Sequence, residues 1–248
     1  MTTNHPTTEL EKSLKQLKLS GMLQCLSART REASSGQLSH CDYLSLLTQD
    51  EILLREQRRY KSRFKKAGFK GQKTIENFNF DFNPKINRSM INELATCNFV
   101  RECCPVIIVG PCGTGKTHIA QALGFSAIQQ GFDVLCTTQT ELSDKLQAAR
   151  ATNSYSKTLS AIAKIKLLII DDLGLKPLKS PQDEAFHDVI STRYEQTSTI
   201  ITSNLTVDEW LQAFPNQLLG AATIDRILHN AFTLKLEGKS YRSANRRK

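Results

Sequence analysis

The stretch Gly110-Pro111-Cys112-Gly113-Thr114-Gly115-Lys116-Thr117 limits the folds open to this chain more than any other. It follows the apolar run Val106-Ile107-Ile108-Val109 and precedes the helix-patterned Ile119-Ala120-Gln121-Ala122-Leu123. Strand, glycine loop and helix start are the context that a phosphate-binding P-loop requires. Glycines let the backbone fold round an anion with no side chains in the way. The N–H groups from Gly110 to His118 then point at the phosphates from the helix N-terminus. Lys116 is expected to reach the β- and γ-phosphates, and the Thr117 hydroxyl to ligate Mg2+.

Two further apolar strands end in polar groups. Leu167-Leu168-Ile169-Ile170 runs into Asp171-Asp172, and Thr199-Ile200-Ile201-Thr202-Ser203 runs into Asn204. Asp171 at the strand tip suits a Walker-B carboxylate that holds the metal of a nucleotide. Asp172 points differently and is positioned to orient or deprotonate the attacking water. The Asn204 amide offers that water, or the γ-phosphate, a hydrogen bond without adding charge. Arg226, in Ile224-Asp225-Arg226-Ile227-Leu228, projects from a helix packed through its apolar positions and is a candidate arginine finger. Arg193 is a second candidate, and Arg242 has either nucleotide or DNA as a possible partner.

Strands alternate with helices through the rest of the chain, which means a parallel α/β sheet with ligands at its carboxyl edge. Expected strands are Val106–Val109, Phe132–Thr138, Leu167–Asp172, Thr199–Asn204 and Phe232–Leu236. Ser180-Pro181-Gln182-Asp183 reads as a helix start with Ser at the N-cap and Pro at N1. Thr206-x-x-Glu209 reads as a capping box. Before the sheet, the spacing predicts one helix over Glu9–Ala28 and another over Asp42–Ala67. Ile75–Pro84, with alternate Phe78, Phe80 and Phe82, is expected to be a strand or extended linker. The expected parts are a helical basic N-terminal domain (1–74), a nucleotide-binding domain (75–237) and a basic tail (238–248).

Charge separates these parts. The net charge is +9, and residues 1–75 hold 14 Lys/Arg against 7 Asp/Glu. Residues 238–248 hold 5 basic residues and no acid, which leaves the body at −3. Basic ends on an acidic body point to a polyanion, most simply nucleic acid. Arg55, Arg58, Arg59, Lys61, Arg63, Lys65 and Lys66 form a nearly single-sign run interleaved with Tyr60 and Phe64. No base-reading motif accompanies them, so phosphate contact is expected. The seven cysteines show no CxxC spacing, the pattern of reduced thiols rather than a disulfide framework. No apolar run approaches membrane-spanning length, and the start of the sequence has no secretory pattern. A cytoplasmic protein is the expectation.

The chain resembles the IstB-type transposition helper ATPases, which are AAA+ proteins related to DnaC-type helicase loaders. The resemblance rests on Gly110–Ala122, Leu167–Leu175, Arg193-Tyr194-Glu195, Thr202-Ser203-Asn204, Glu209-Trp210, Ile224–His229 and Leu236–Arg242. It implies an AAA+ core with sheet order 5-1-4-3-2 and little C-terminal lid. It also implies ATP and Mg2+, assembly as a homo-oligomer with shared ATP sites on double-stranded DNA, and a cognate transposase as partner. Arg226 would then complete a neighbour's site. Asp172 stands where the helpers usually carry glutamate, which implies slow hydrolysis. A helicase loader shares the core and is the alternative. A P-loop kinase would need an acceptor pocket and an Arg-rich lid, and the twin carboxylates with Asn204 argue against it.

Overall fold

The computed structural model describes residues 6–36 and 38–244. The chain divides into two compact units between Ser62 and Arg63, ahead of the boundary expected near residue 75. Phe64 packs edge-on against both Phe69 and Phe125, so the last turn of the long basic helix belongs with the second unit.

In the first unit, α1 (Pro6–Gln16) and α2 (Ser20–Gly36) replace the single helix expected over Glu9–Ala28. Lys18 adopts φ 57° between them, and Leu19 N–H returns to the Leu14 carbonyl, which closes α1. The helical spacing of the leucines survives the break, so periodicity alone could not reveal it. Both elements pack on α3 (His40–Lys66) through a small core of Leu14, Leu26 and Leu47. Gly21 and Glu51 meet at close range: a Cβ on Gly21 would lie 2.6 Å from Glu51 Cα.

The second unit is built on β1 (Val106–Val109), preceded by α4 (Arg88–Ala95) and α5 (Asn98–Arg101). Then follow α6 (Lys116–Gln129), β2 (Val134–Thr138), α7 (Gln139–Ala151), α8 (Tyr155–Ala163) and β3 (Leu167–Leu173). Next come α9 (Gln182–Arg193), β4 (Ser198–Ser203), a 3-10 helix (Val207–Ala213) and α10 (Gln217–Leu228). β5 (Phe232–Lys235) and α11 (Tyr241–Ala244) follow. All pairings are parallel, in the order β2-β3-β4-β1-β5, so the Asn204 strand lies between those of Asp171 and Gly110, as expected. The three central strands are buried throughout apart from Asp172, as a sheet covered on both faces requires. Ile107, Leu168, Ile170 and Ile201 face a core shared with Phe186, Trp210 and Ile227.

Two local expectations are corrected. Pro181, not Ser180, occupies the N-cap position of α9. Residues 75–84 form turns rather than a strand: Phe78 N–H bonds the Ile75 carbonyl at 3.1 Å, and Phe82 N–H bonds Asn79 Oδ1 at 3.1 Å. Asparagine side chains compete for backbone donors, and here they override the alternation of the phenylalanines. The Thr206–Glu209 capping box is present.

Candidate functional site

The loop between β1 and α6 wraps the Lys116 ammonium. Its Nζ donates to the Gly110 carbonyl at 2.6 Å, the Pro111 carbonyl at 2.8 Å and Asn204 Oδ1 at 2.6 Å. Burial, before any charge effect, pushes the Lys116 ammonium below its ordinary value. Gly110 and Pro111 therefore form the back of the loop. The residues from Cys112 to His118 line a cavity of about 410 Å3 together with Asp172, Asn204 and Arg242.

Asp171 and Asp172 are adjacent in sequence but differ in environment. Asp171 is buried behind the loop and accepts from Thr117 Oγ1 at 3.0 Å and from the Thr202 hydroxyl. Asp172 lines the cavity itself, and its N–H donates to Thr202 Oγ1 at 3.0 Å. The cause is a bulge. Ile170 pairs with Ile201 and Leu173 with Ser203, so β3 carries one residue more than β4 at this point. Asp172 takes φ 59° there, a conformation that aspartate tolerates better than most side chains. Burial, then the neighbouring Asp171 charge, pushes the Asp172 carboxyl up from its ordinary value.

Two segments outside the sheet complete the cavity. The turns around Asn77, Phe78 and Phe82 form one wall, and the C-terminal Tyr241 and Arg242 form another. They touch each other: Phe82 meets the Tyr241 ring edge-on at 5.0 Å, and Asn83 Nδ2 donates to the Glu237 carbonyl. His118 Nε2 bonds the Thr74 carbonyl at 2.9 Å and its ring packs on Phe78. The C-terminal turn sits on the phosphate loop. Tyr241 N–H bonds the Gly113 carbonyl at 2.9 Å, and a Cβ on Gly113, at φ 81°, would overlap Ser240 Oγ. Sequence reasoning left Arg242 undecided and missed Phe78, Phe82 and Tyr241 as walls. The signals were the glycine at 238, which marks a turn just after the last strand, and the Leu236–Arg242 stretch on which the resemblance partly rests.

Arg226 does not line this cavity. It lies on α10, where its Nη1 is 3.4 Å from His187 Nε2, beside a second cavity of about 200 Å3 that Tyr194 and His229 also line. Arg193 serves the interior: 2% exposed, it donates to the carbonyls of Ile162, Ile165 and Ser198 and to Thr199 Oγ1. Within the first unit, Arg55 pairs with Glu51 at 2.6 Å and Arg58 bonds Ser20 Oγ at 2.9 Å, while Arg59 and Lys61 are exposed. In the second unit, Arg63 pairs with Asp133 at 3.2 Å, and Lys65 and Lys66 are exposed.

The donors around Thr117 and Asp171 are a hydroxyl and a carboxylate 3.0 Å apart, hard oxygens of the kind that Mg2+ prefers. The loop supplies N–H groups and an ammonium for phosphates. The cavity floor adds a carboxylate and an amide for a water, and its rim adds a guanidinium. Such a set can bind a nucleoside triphosphate and direct water at its terminal phosphate.

Comparison with known proteins agrees with this geometry. The family model described as IstB-like ATP binding protein matches residues 12–248. The chain is 35% identical over 240 residues to an insertion sequence IS21 ATP-binding protein of Pseudomonas aeruginosa, covering 97% of this chain and 91% of that one. Among solved structures it is similar to DnaI, with a TM-score of 0.57 at 19% identity over 66% of this chain and 91% of that one. It is also similar to the replication initiator DnaA bound to AMPPCP and single-stranded DNA, with a TM-score of 0.56 at 22% identity. That match covers 67% of this chain and 50% of the DnaA chain. At these identities the likeness to the two structures is one of fold. Among the described residues, no helix is long and apolar enough to cross a membrane.

Proposed function

Because the chain belongs to the IstB-like ATP-binding protein family of insertion sequences, we propose that it is a cytoplasmic ATPase that helps DNA transposition by assembling on duplex DNA and engaging its transposase. The observation that carries this reading is the division of the charged and polar groups. Lys116, Asp172, Asn204 and Arg242 converge on one cavity, and Arg226 stands on another face of the same unit. An arginine that completes a site only from a neighbouring copy couples nucleotide occupancy to assembly.

In this reading the N–H groups from Gly113 to His118 and the Lys116 ammonium hold the triphosphate of ATP. Thr117 and Asp171 hold Mg2+, which when bound neutralises charge on the β- and γ-phosphates. Asp172 orients the attacking water and accepts its proton, and Asn204 releases Lys116 to hydrogen-bond the water or γ-phosphate. Arg242 contacts the phosphates from the chain's own C-terminal turn. The basic helix α3 meets DNA phosphates, which fits an interaction that is indifferent to sequence.

Size-exclusion of the protein with ATP, with and without duplex DNA, tests the reading. Multimers that need ATP and vanish in Lys116→Ala are expected; a monomer indifferent to nucleotide removes the proposal. Mixing tests the shared site. Lys116→Ala subunits lack a competent loop but keep Arg226, and Arg226→Ala subunits are the reverse. Each alone is expected to turn over far below wild type but measurably above background, and the mixture to recover activity. A mixture as inactive as its parts counts against donation between copies.

A further inference from the structure

The surroundings of Arg226 contain a histidine whose tautomer the hydrogen bonds determine. His187 on α9 places Nδ1 2.8 Å from Thr223 Oγ1 and Nε2 3.0 Å from Ser191 Oγ. Thr223 is buried, and its hydroxyl proton goes to the Leu219 carbonyl at 2.6 Å, one turn back on α10. That oxygen can only accept from His187, so Nδ1 carries the imidazole proton. Nε2 is then an acceptor whose one lone pair is shared by two donors, the Ser191 hydroxyl being the nearer. It faces the Ser191 hydroxyl and, at 3.4 Å, Nη1 of Arg226.

We infer that His187 is a positioning residue for Arg226: locked in its Nδ1-protonated form by Thr223, it offers Nε2 as an acceptor that fixes the direction in which the guanidinium leaves α10. The inference rests on the reading of Arg226 given above. A long flexible side chain loses rotamer freedom when it must act at a defined point, and a neutral acceptor beside it makes part of that restriction before a neighbour docks. A carboxylate at this position would do the opposite, since it would pair with the arginine and compete with phosphate for it. Imidazole is an acceptor weak enough to yield.

The electrostatic surroundings keep the ring in this role. Burial first, then the Arg226 charge, holds His187 below its ordinary value, against the opposing pull of Asp188 on the same helix. Asp188 is itself engaged by the Tyr155 hydroxyl from α8 at 2.6 Å. Arg150 of α7 is turned to Glu184 and the Tyr155 ring. Among these groups Arg226 is the cation that His187 meets directly. Protonating Nε2 would replace the acceptor with a donor and set two cations side by side.

The test is steady-state ATP turnover by the full chain with duplex DNA, alongside the affinity of a fluorescent ATP analogue measured without DNA. His187→Leu removes the acceptor and is expected to lower turnover about tenfold or more, with analogue affinity within about twofold of wild type. His187→Gln, whose amide oxygen can accept near the Nε2 position, is expected to stay within about threefold of wild type. His187→Leu added to Arg226→Ala is expected to cost nothing beyond Arg226→Ala alone. Wild-type turnover in His187→Leu beside an inactive Arg226→Ala overturns the positioning role and leaves the finger intact. A double variant much slower than Arg226→Ala also overturns it, because His187 would then act by another route. Wild-type turnover in Arg226→Ala overturns the finger and the inference together. If His187→Leu fails to fold, His187→Gln decides: turnover as low as that of Arg226→Ala overturns the inference.

Discussion

Asp172 combines three constraints in one side chain. It sits in the left-handed region, it is half-buried, and it shares a strand end with Asp171. Asparagine tolerates the same backbone conformation, so Asp172→Asn removes the charge with little strain. Turnover is expected to fall about 10²–10⁴-fold with the thermal melt no lower than wild type, since the variant removes a charge that burial and Asp171 disfavour; a wild-type rate would remove the proposed base. Asp172→Glu extends the carboxylate by one methylene at a backbone position less suited to it. If reach limits the wild type, that variant is faster by up to about a hundredfold. The pH dependence has a defined sign. Burial and Asp171 raise the Asp172 pKa above its ordinary 3.8. As pH falls through the raised value the base is protonated, so its contribution disappears at a higher pH than an ordinary aspartate would give.

At the scale of elements, the N-terminal helices depend on a carboxylate from a third helix. Glu51 Oε2 on α3 accepts from the Gly21 and Met22 N–H groups at 2.5 and 3.3 Å, which caps α2. Burial alone raises its pKa, but Arg55 and the two N–H groups outweigh burial and the net shift is below the ordinary 4.5. A lowered carboxylate stabilises fully above its unfolded value, and that stability is lost as pH falls through the folded one. Glu51→Gln is expected to cost about 1–2 kcal/mol, read as faster hydrogen exchange along α2 near neutral pH. The loss should narrow as the wild type is acidified below about pH 4.5; equal exchange in both proteins at neutral pH would show that the cap is dispensable. This cap was not legible in the sequence, because Gly21 and Glu51 meet only in the folded unit. What was legible was local. Val106–Thr117 fixed strand, loop and helix by chemistry within a dozen positions, and Leu167–Asp172 and Thr199–Asn204 announced strand tips by ending apolar runs in polar groups. The break at Lys18 and the turns at residues 75–84 escaped because each keeps a misleading period. The Arg242 wall stayed undecided because it approaches Gly113 from the far end of the chain.

For the whole molecule, the uneven charge makes a claim about salt. Arg55 and Arg58 are exposed but each has a partner, Arg63 is half-buried and paired, and Arg59 and Lys61 on the first unit are exposed. Duplex affinity should fall with salt, and Arg59→Ala with Lys61→Ala should reduce the slope of log K against log salt by about 0.9 for each phosphate no longer neutralised. An unchanged slope would move the DNA-facing surface elsewhere. The second unit carries a different long-range device. Asn83 is tied to the Glu237 carbonyl, 154 residues away in sequence, and Phe82 to Tyr241. The polypeptide between them, with the sheet inside it, is a loop pinned at its neck. Mechanical tension entering this unit through the backbone at either side would load that neck before any strand was sheared. A ligand lodged between the same two walls would stiffen the neck, so chemical occupancy would set how much pull the sheet ever feels.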